Sequence, residues 1–277
     1  MTSRTAAGDL RPQRRQSENA MHNSFRVVIP ARYGASRLPG KPLLDIGGKT
    51  LIARVWEQAR ASGAAEVVIA TDDDRIVTHA RAIGADVALT AAHHHSGTER
   101  IAAVAAARSW PAESVVVNLQ GDEPCMPPAN IDQVAAALAA DDDLQMATLA
   151  TPITVAGELF DPHVVKVVTA ADGTALYFSR APIPWHRDEF LGDRAHLPEH
   201  TRFWRHIGLY AYRAGFLQAF VGWPPSPLEL AESLEQLRVL WHGARLRVAQ
   251  AQATPGPGVD TADDVRAVLR WLQGSGG

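Results

Sequence analysis

The chain has 277 residues, a formal net charge of −3, 46% hydrophobic residues and a single cysteine. That length supports one large domain with a substantial core. The slightly acidic balance argues against a nucleic-acid partner, which calls for a broad basic face, and one thiol excludes an internal disulfide.

Residues 1–24 are polar, with Arg4, Arg11, Arg14 and Arg15 offset by Asp9 and Glu18. Nothing in them would bury a core, so a disordered leader is expected ahead of a single domain over 25–273. Val27, Val28 and Ile29 are β-branched and contiguous, as in a strand covered on both faces, and Pro30 is expected to end its pairing. The loop that follows carries Arg32, Arg37 and Lys41 with no acidic residue among them. Pro39 and Pro42 stiffen it, while Gly34 and Gly40 permit close backbone approach to a ligand. Three neighbouring cations repel one another unless an anion sits between them, so the loop reads as a cradle for a polyphosphate. A merely solvated loop has no need of that stiffening. Neither the Walker spacing nor the dinucleotide fingerprint occurs, so neither an ATPase nor a dehydrogenase is indicated.

Leu51, Ile52, Val55 and Trp56 recur at helical spacing up to Gly63. Strands are predicted at 66–71, 86–90, 114–120 and 146–150, with helices at 73–83, 99–110 and 130–140 between them. This alternation implies an α/β fold with a mainly parallel sheet, whose ligands sit beyond the carboxyl ends of the strands. From Val164 three strands, 164–169, 175–180 and 207–213, follow without helices between them and predict an antiparallel insertion. Residues 182–205 mix prolines, aromatics and charges in a way that suits a lid or a subunit contact. A helix is predicted over 227–242, a last strand over 246–251, and a closing helix over 261–272 with Thr261 and Asp264 at capping-box positions.

Within NLQGDEP, Asp122 falls just past a strand end, where a carboxylate suits a hard cation that shares its other ligands with phosphate. Asp260 in PGPGVDTADD is its natural partner, although an Asp before a helix also serves as an N-cap. In SGTER, Ser96, Gly97, Thr98 and Arg100 open a helix whose free N–H groups suit a base or sugar, and capping explains Ser96 and Thr98 equally well. His93, His94 and His95 are consecutive and point in different directions, so no metal is assigned to them. Cys125 reads as a buried, inert thiol. No apolar run reaches the ~20 residues that span a bilayer, and the N-terminal residues show no apolar h-region of the kind a secretory signal needs. No membrane partner and a cytoplasmic location are therefore expected.

PARYGASRLPGKPL, SGTER, NLQGDEP, ALYFSRAPIPW, RHIGLYAYRAGF, PSPLELAESLEQLRVLW and PGPGVDTADD occur in that order between Phe25 and Leu272. Together they strongly resemble the bacterial 3-deoxy-manno-octulosonate cytidylyltransferases, or CMP-KDO synthetases. The resemblance implies a Rossmann-like nucleotidyltransferase fold with a β-rich insertion over about 164–213. It implies transfer of CMP from CTP to the anomeric hydroxyl of KDO, with magnesium, on the route to lipopolysaccharide, by a homodimer. By similarity, Arg32, Arg37 and Lys41 bind phosphates and stabilise charge at the α-phosphate, and Asp122 and Asp260 hold Mg2+. Ser96, Gly97, Thr98 and Arg100 meet the cytosine; Gln120, Arg180, His206, Tyr210, Glu235 and Gln236 meet the sugar. The residues themselves leave plainer readings open, with His206 a core histidine, Tyr210 an ordinary strand residue and Glu235 on a solvated helix face. The chain departs from the family pattern at Ala35, His93 and Pro257, where Ser or Thr, Asp and Thr are respectively usual. Two alternatives are a cytidylyltransferase for another acidic sugar, such as a sialic acid or an 8-amino relative of KDO, and a non-catalytic binding module.

Overall fold

The structure, a computed structural model, describes residues 24–34, 38–192 and 194–274. The predicted leader falls almost wholly outside these residues, as does Arg37. The elements in chain order are β1 (Phe25–Ala31), α1 (Leu51–Arg60), β2 (Glu66–Thr71), α2 (Asp74–Ala82), β3 (Asp86–Leu89), α3 (Gly97–Ala107), β4 (Val115–Asn118), α4 (Pro128–Ala139) and β5 (Met146–Pro152). They continue as α5 (Ala156–Phe160), β6 (Lys166–Thr169), β7 (Ala175–Ser179), β8 (Trp204–Arg213), α6 (Ala214–Gly222), α7 (Pro227–Glu232), α8 (Leu237–Trp241), β9 (Leu246–Gln250) and α9 (Ala262–Gly274).

The main sheet runs β3-β2-β1-β4-β8-β5-β9. Every neighbouring pair in it is parallel except those made by β8, which is antiparallel to both β4 and β5. The apolar runs explain why this sheet is buried on both faces. Alternation along β1 sends Val27 and Ile29 into one core, with Ile52 and Val55 of α1 and Ile131 and Val134 of α4. It sends Val28 into the other core, with Ile101 and Val104 of α3 and Phe216 and Leu217 of α6. The chain moves from β1 to β2 and β3 on one side and then returns to place β4 on the other. This reversal opens a crevice at the carboxyl ends of β1 and β4.

The α/β fold with a mainly parallel sheet and added antiparallel strands is the expected one, and it differs in three details. Pro30 ends pairing only on the β4 side, where Val28 opposite Asn118 is the last pair; towards β2 the ladder continues through Pro30 and Ala31. Of the three late strands, β8 lies in the middle of the main sheet, while β6 and β7 form a hairpin attached to it through Lys166 opposite Arg205. The helix predicted over 227–242 is broken, because Ser233 adopts a left-handed conformation at φ 52°, ψ 49°. The chain turns after Glu232, and Leu234 and Leu237 beyond the break both enter the core. Residues 182–205 rest on a small cluster of their own, built from Ile153, Leu159, Phe190 and Phe203.

Candidate active site

A cavity of about 510 Å³ lies at the crevice between β1 and β4. Its wall includes Arg32 and Lys41 from the loop after β1, Ser96, Gly97 and Arg100 from the start of α3, Gln120 and Asp122 from the loop after β4, and Asp260 before α9. Close approach of the two strand ends requires glycine at 121, since an added Cβ there would stand 2.7 Å from the Pro30 carbonyl oxygen. Gly40, at φ 72°, turns the loop into a short 3-10 helix, and its N–H donates to the Tyr33 carbonyl at 3.0 Å. That helix begins at Lys41.

Lys41 ties the floor of the cavity together. Its Nζ donates to Asp122 Oδ2 at 2.8 Å, to the Val259 carbonyl at 2.8 Å and to Asp260 Oδ1 at 3.3 Å. Burial pulls the ammonium pKa down, but the charges and hydrogen bonds of Asp122 and Asp260 outweigh it and hold it above the ordinary lysine value. The capping role open to Asp260 is filled by its neighbours instead. Asp264 Oδ2 accepts the Thr261 N–H at 2.7 Å, and Thr261 Oγ1 accepts the Asp264 N–H at 3.4 Å. The Asp260 side chain, 70% exposed, is thereby left to face Lys41.

At α3, Ser96 Oγ accepts the Glu99 N–H at 3.2 Å, so Ser96 is the cap, while Thr98 is buried and donates to Glu235 Oε2 at 2.7 Å. Arg100 is buried at the cavity wall and anchored by Thr90 and by Asp72 Oδ2, the latter at 3.1 Å. Gln120 donates to Asn118 Oδ1 at 3.2 Å.

Arg180, His206, Tyr210, Glu235 and Gln236 do not line this cavity. They gather around β7, β8 and the turn between α7 and α8, connected to the cavity wall by the Thr98–Glu235 bond and by Tyr210, which pairs with Asn118 across β4 and β8. His206 Nε2 lies 3.0 Å from Thr148 Oγ1, and its ring packs 5.0 Å from Phe178 and 5.3 Å from Tyr210. Burial pushes the His206 pKa down to about 3 and those of Tyr210 and the Glu235 carboxyl up. Glu235 is therefore not a solvated helix residue: it is half-buried and engaged by Thr98. The side-chain nitrogen of Gln236 is buried without a hydrogen-bond partner among the described residues.

Several residues that sequence reasoning passed over belong to this arrangement. Glu123 is driven up to about 8 first by burial and then by Asp122 and Asp260, so its carboxyl is largely protonated at neutral pH. Asp72 anchors Arg100, and Glu232 holds Arg180. The adjacent acids of NLQGDEP hinted at Glu123, but no local pattern reveals burial. His94 and His95 line the cavity. Cys125 is buried, and burial first, then Glu123, pushes its thiol up to about 11.

Among the described residues no group of three or more His, Cys, Asp or Glu side chains converges as a metal site. The Asp122–Asp260 pair nevertheless fits magnesium. Its donors are hard oxygens, two carboxylates held near a single ammonium at the cavity floor.

A family model described as Cytidylyltransferase matches residues 26–246. The 3-deoxy-manno-octulosonate cytidylyltransferase of Pseudomonas fluorescens is 57% identical over 253 residues, covering 91% of this chain and 100% of that protein. The like-named protein of Idiomarina loihiensis is 56% identical over 253 residues with the same coverage, 91% and 100%. Among solved structures, a CMP:2-keto-3-deoxy-manno-octonic acid synthetase complexed with CTP aligns at 42% identity with a TM-score of 0.82, covering 91% of this chain and 100% of that one.

Proposed function

The chain belongs to the cytidylyltransferase family, and from that premise we infer that it transfers the CMP group of CTP to the anomeric hydroxyl of 3-deoxy-manno-octulosonate (KDO), releasing pyrophosphate. The observation that carries this reading is the meeting of Lys41, Asp122 and Asp260 in one cavity with Arg32, Ser96 and Gln120. Both substrates are anions, so their repulsion must be cancelled before the sugar hydroxyl reaches the α-phosphorus. The hydroxyl oxygen then forms a bond to that phosphorus as the bond to the pyrophosphate oxygen breaks, and the hydroxyl proton leaves to solvent.

In this reading Arg32 and Lys41, with Arg37, bind the phosphates and stabilise the charge that collects on the departing pyrophosphate. Asp122 and Asp260 would hold a magnesium ion, whose chemistry when bound is neutralisation of phosphate oxygens and acidification of the attacking hydroxyl. Ser96, Gly97 and Arg100 meet the cytosine at the start of α3, with Thr98 supporting them from beneath. Gln120, Tyr210, Glu235 and Gln236 meet sugar hydroxyls. A His206 kept neutral by burial suits a hydroxyl better than a carboxylate. That leaves the KDO carboxylate to the guanidinium of Arg180. The same proposal includes a homodimer, with contact supported by exposed Leu176, Trp185 and Leu191, and a cytoplasmic role in supplying lipopolysaccharide assembly.

The test is pyrophosphate release with CTP and KDO together, with each omitted, and with a sialic acid or an 8-amino relative replacing KDO. Release is expected only when CTP and KDO are both present. Release without an acceptor sugar, or a higher kcat/KM for a replacement acid, would overturn the assignment.

A further inference from the structure

We propose that Glu232 is a positioning residue for the sugar end of the site, fixing Arg180 against the turn that carries Glu235 and Gln236. This rests on the reading above that puts those three residues on the sugar. Glu232 is the last residue of α7, immediately before the left-handed Ser233. Its Oε1 accepts the Ser179 hydroxyl at 2.6 Å, its Oε2 accepts the Arg180 N–H at 2.9 Å, and its carbonyl accepts Arg180 Nε at 2.7 Å. One residue thus joins the end of β7 to the start of the 233–236 turn, two segments that nothing in the sequence makes neighbours.

The remaining ties on Arg180 come from below. Its Nη1 donates to the Pro162 carbonyl at 3.0 Å, and its own carbonyl accepts Lys166 Nζ at 2.6 Å. Lys166 is fully buried and also donates to the carbonyls of Asp161 at 2.9 Å and Val164 at 2.5 Å, so all three of its protons are used. Arg180 is therefore held by its backbone and through Nε and Nη1 of its guanidinium, while Nη2 has no protein partner among the described residues. Glu232 has both carboxylate oxygens and its carbonyl engaged by the protein, so it acts through Arg180 and not on the substrate. Fixing a flexible arginine beforehand removes part of the ordering loss that carboxylate binding otherwise carries.

The experiment measures KM for KDO, KM for CTP and kcat in Glu232→Ala, Glu232→Gln and, in parallel, Arg180→Ala. Glu232→Ala is expected to raise the KDO KM about tenfold while the CTP KM stays within about twofold. Glu232→Gln, which keeps an acceptor for the Arg180 N–H, recovers most of that loss. A merely structural tie predicts a lower melting temperature with no split between the two KM values, and that result overturns the proposal. So does an unchanged KDO KM in Glu232→Ala when Arg180→Ala raises it. An unchanged KDO KM in Arg180→Ala overturns the assignment of that arginine, and this inference with it. Should Glu232→Ala fail to fold, Ser179→Ala removes one of the same bonds and is expected to move the KDO KM alone, by about threefold; equal movement of both KM values overturns the proposal.

Discussion

The two ends of the site are built on opposite principles. At the phosphate end, charged side chains on loops face one another across an open cavity, and Lys41 stands between two aspartates. At the sugar end, the polar groups lie among packed strands. There burial keeps His206 neutral, and buried or half-buried side chains tie Arg180 and Glu235 in place. The first end responds to charge and the second to geometry, because a partly solvated charge can be re-screened whereas a desolvated polar group depends on the partners it has.

The sharpest break in that contrast is Asp122→Asn. It removes a charge from a half-buried loop while preserving shape, so kcat is expected to fall about a hundredfold or more at saturating magnesium. The melting temperature should fall by no more than about 4 °C, since shape is kept and one part-buried bond to Lys41 is weakened. Unchanged turnover would place the electrostatic work elsewhere. Gly121→Ala tests the one feature of the phosphate end that is geometric. The new Cβ meets the Pro30 carbonyl at 2.7 Å, so chemical denaturation should show a loss of about 1–3 kcal/mol.

Arg180→Ala tests the sugar end directly, with the KDO KM expected to rise about tenfold at an unchanged CTP KM in steady-state assays. The smallest effect concerns pH. His206 has a folded pKa near 3 against an ordinary value of 6.5, so the unfolded chain takes up its proton first as the medium is acidified. Its contribution is fully present above about pH 6.5 and is lost progressively as pH falls towards about 3. Between pH 7 and pH 5.5 the loss is on the order of 1 kcal/mol. Denaturation of His206→Gln at both values should show a weaker acid dependence than the parent chain.

Much of the fold was legible because its signals are local. EVVIAT reads as a buried strand from its own composition and is β2, at 66–71. The helix predicted from Glu99 begins two residues earlier, at Gly97, because Ser96 caps it. The α6 helix was not foreseen: AGFLQAFVG follows β8 without a break and has apolar residues on too many sides for a clear period. The broken helix after Pro227 was illegible for a different reason. Its residues suit a helix, and nothing local marks Ser233 as the left-handed residue at which the chain turns.

Periodicity and loop chemistry are properties of neighbours along the chain, and they already set the alternation of strands and helices and the loops on which arginine, lysine and aspartate cluster. It took the folded chain to bring Asp260 to the same lysine as Asp122, to run β8 against its neighbours in the middle of the sheet, and to set Glu123 and His206 where their charged forms are suppressed. Those outcomes depend on which distant segments pack together and how much water they exclude, and no stretch of sequence carries that by its own pattern.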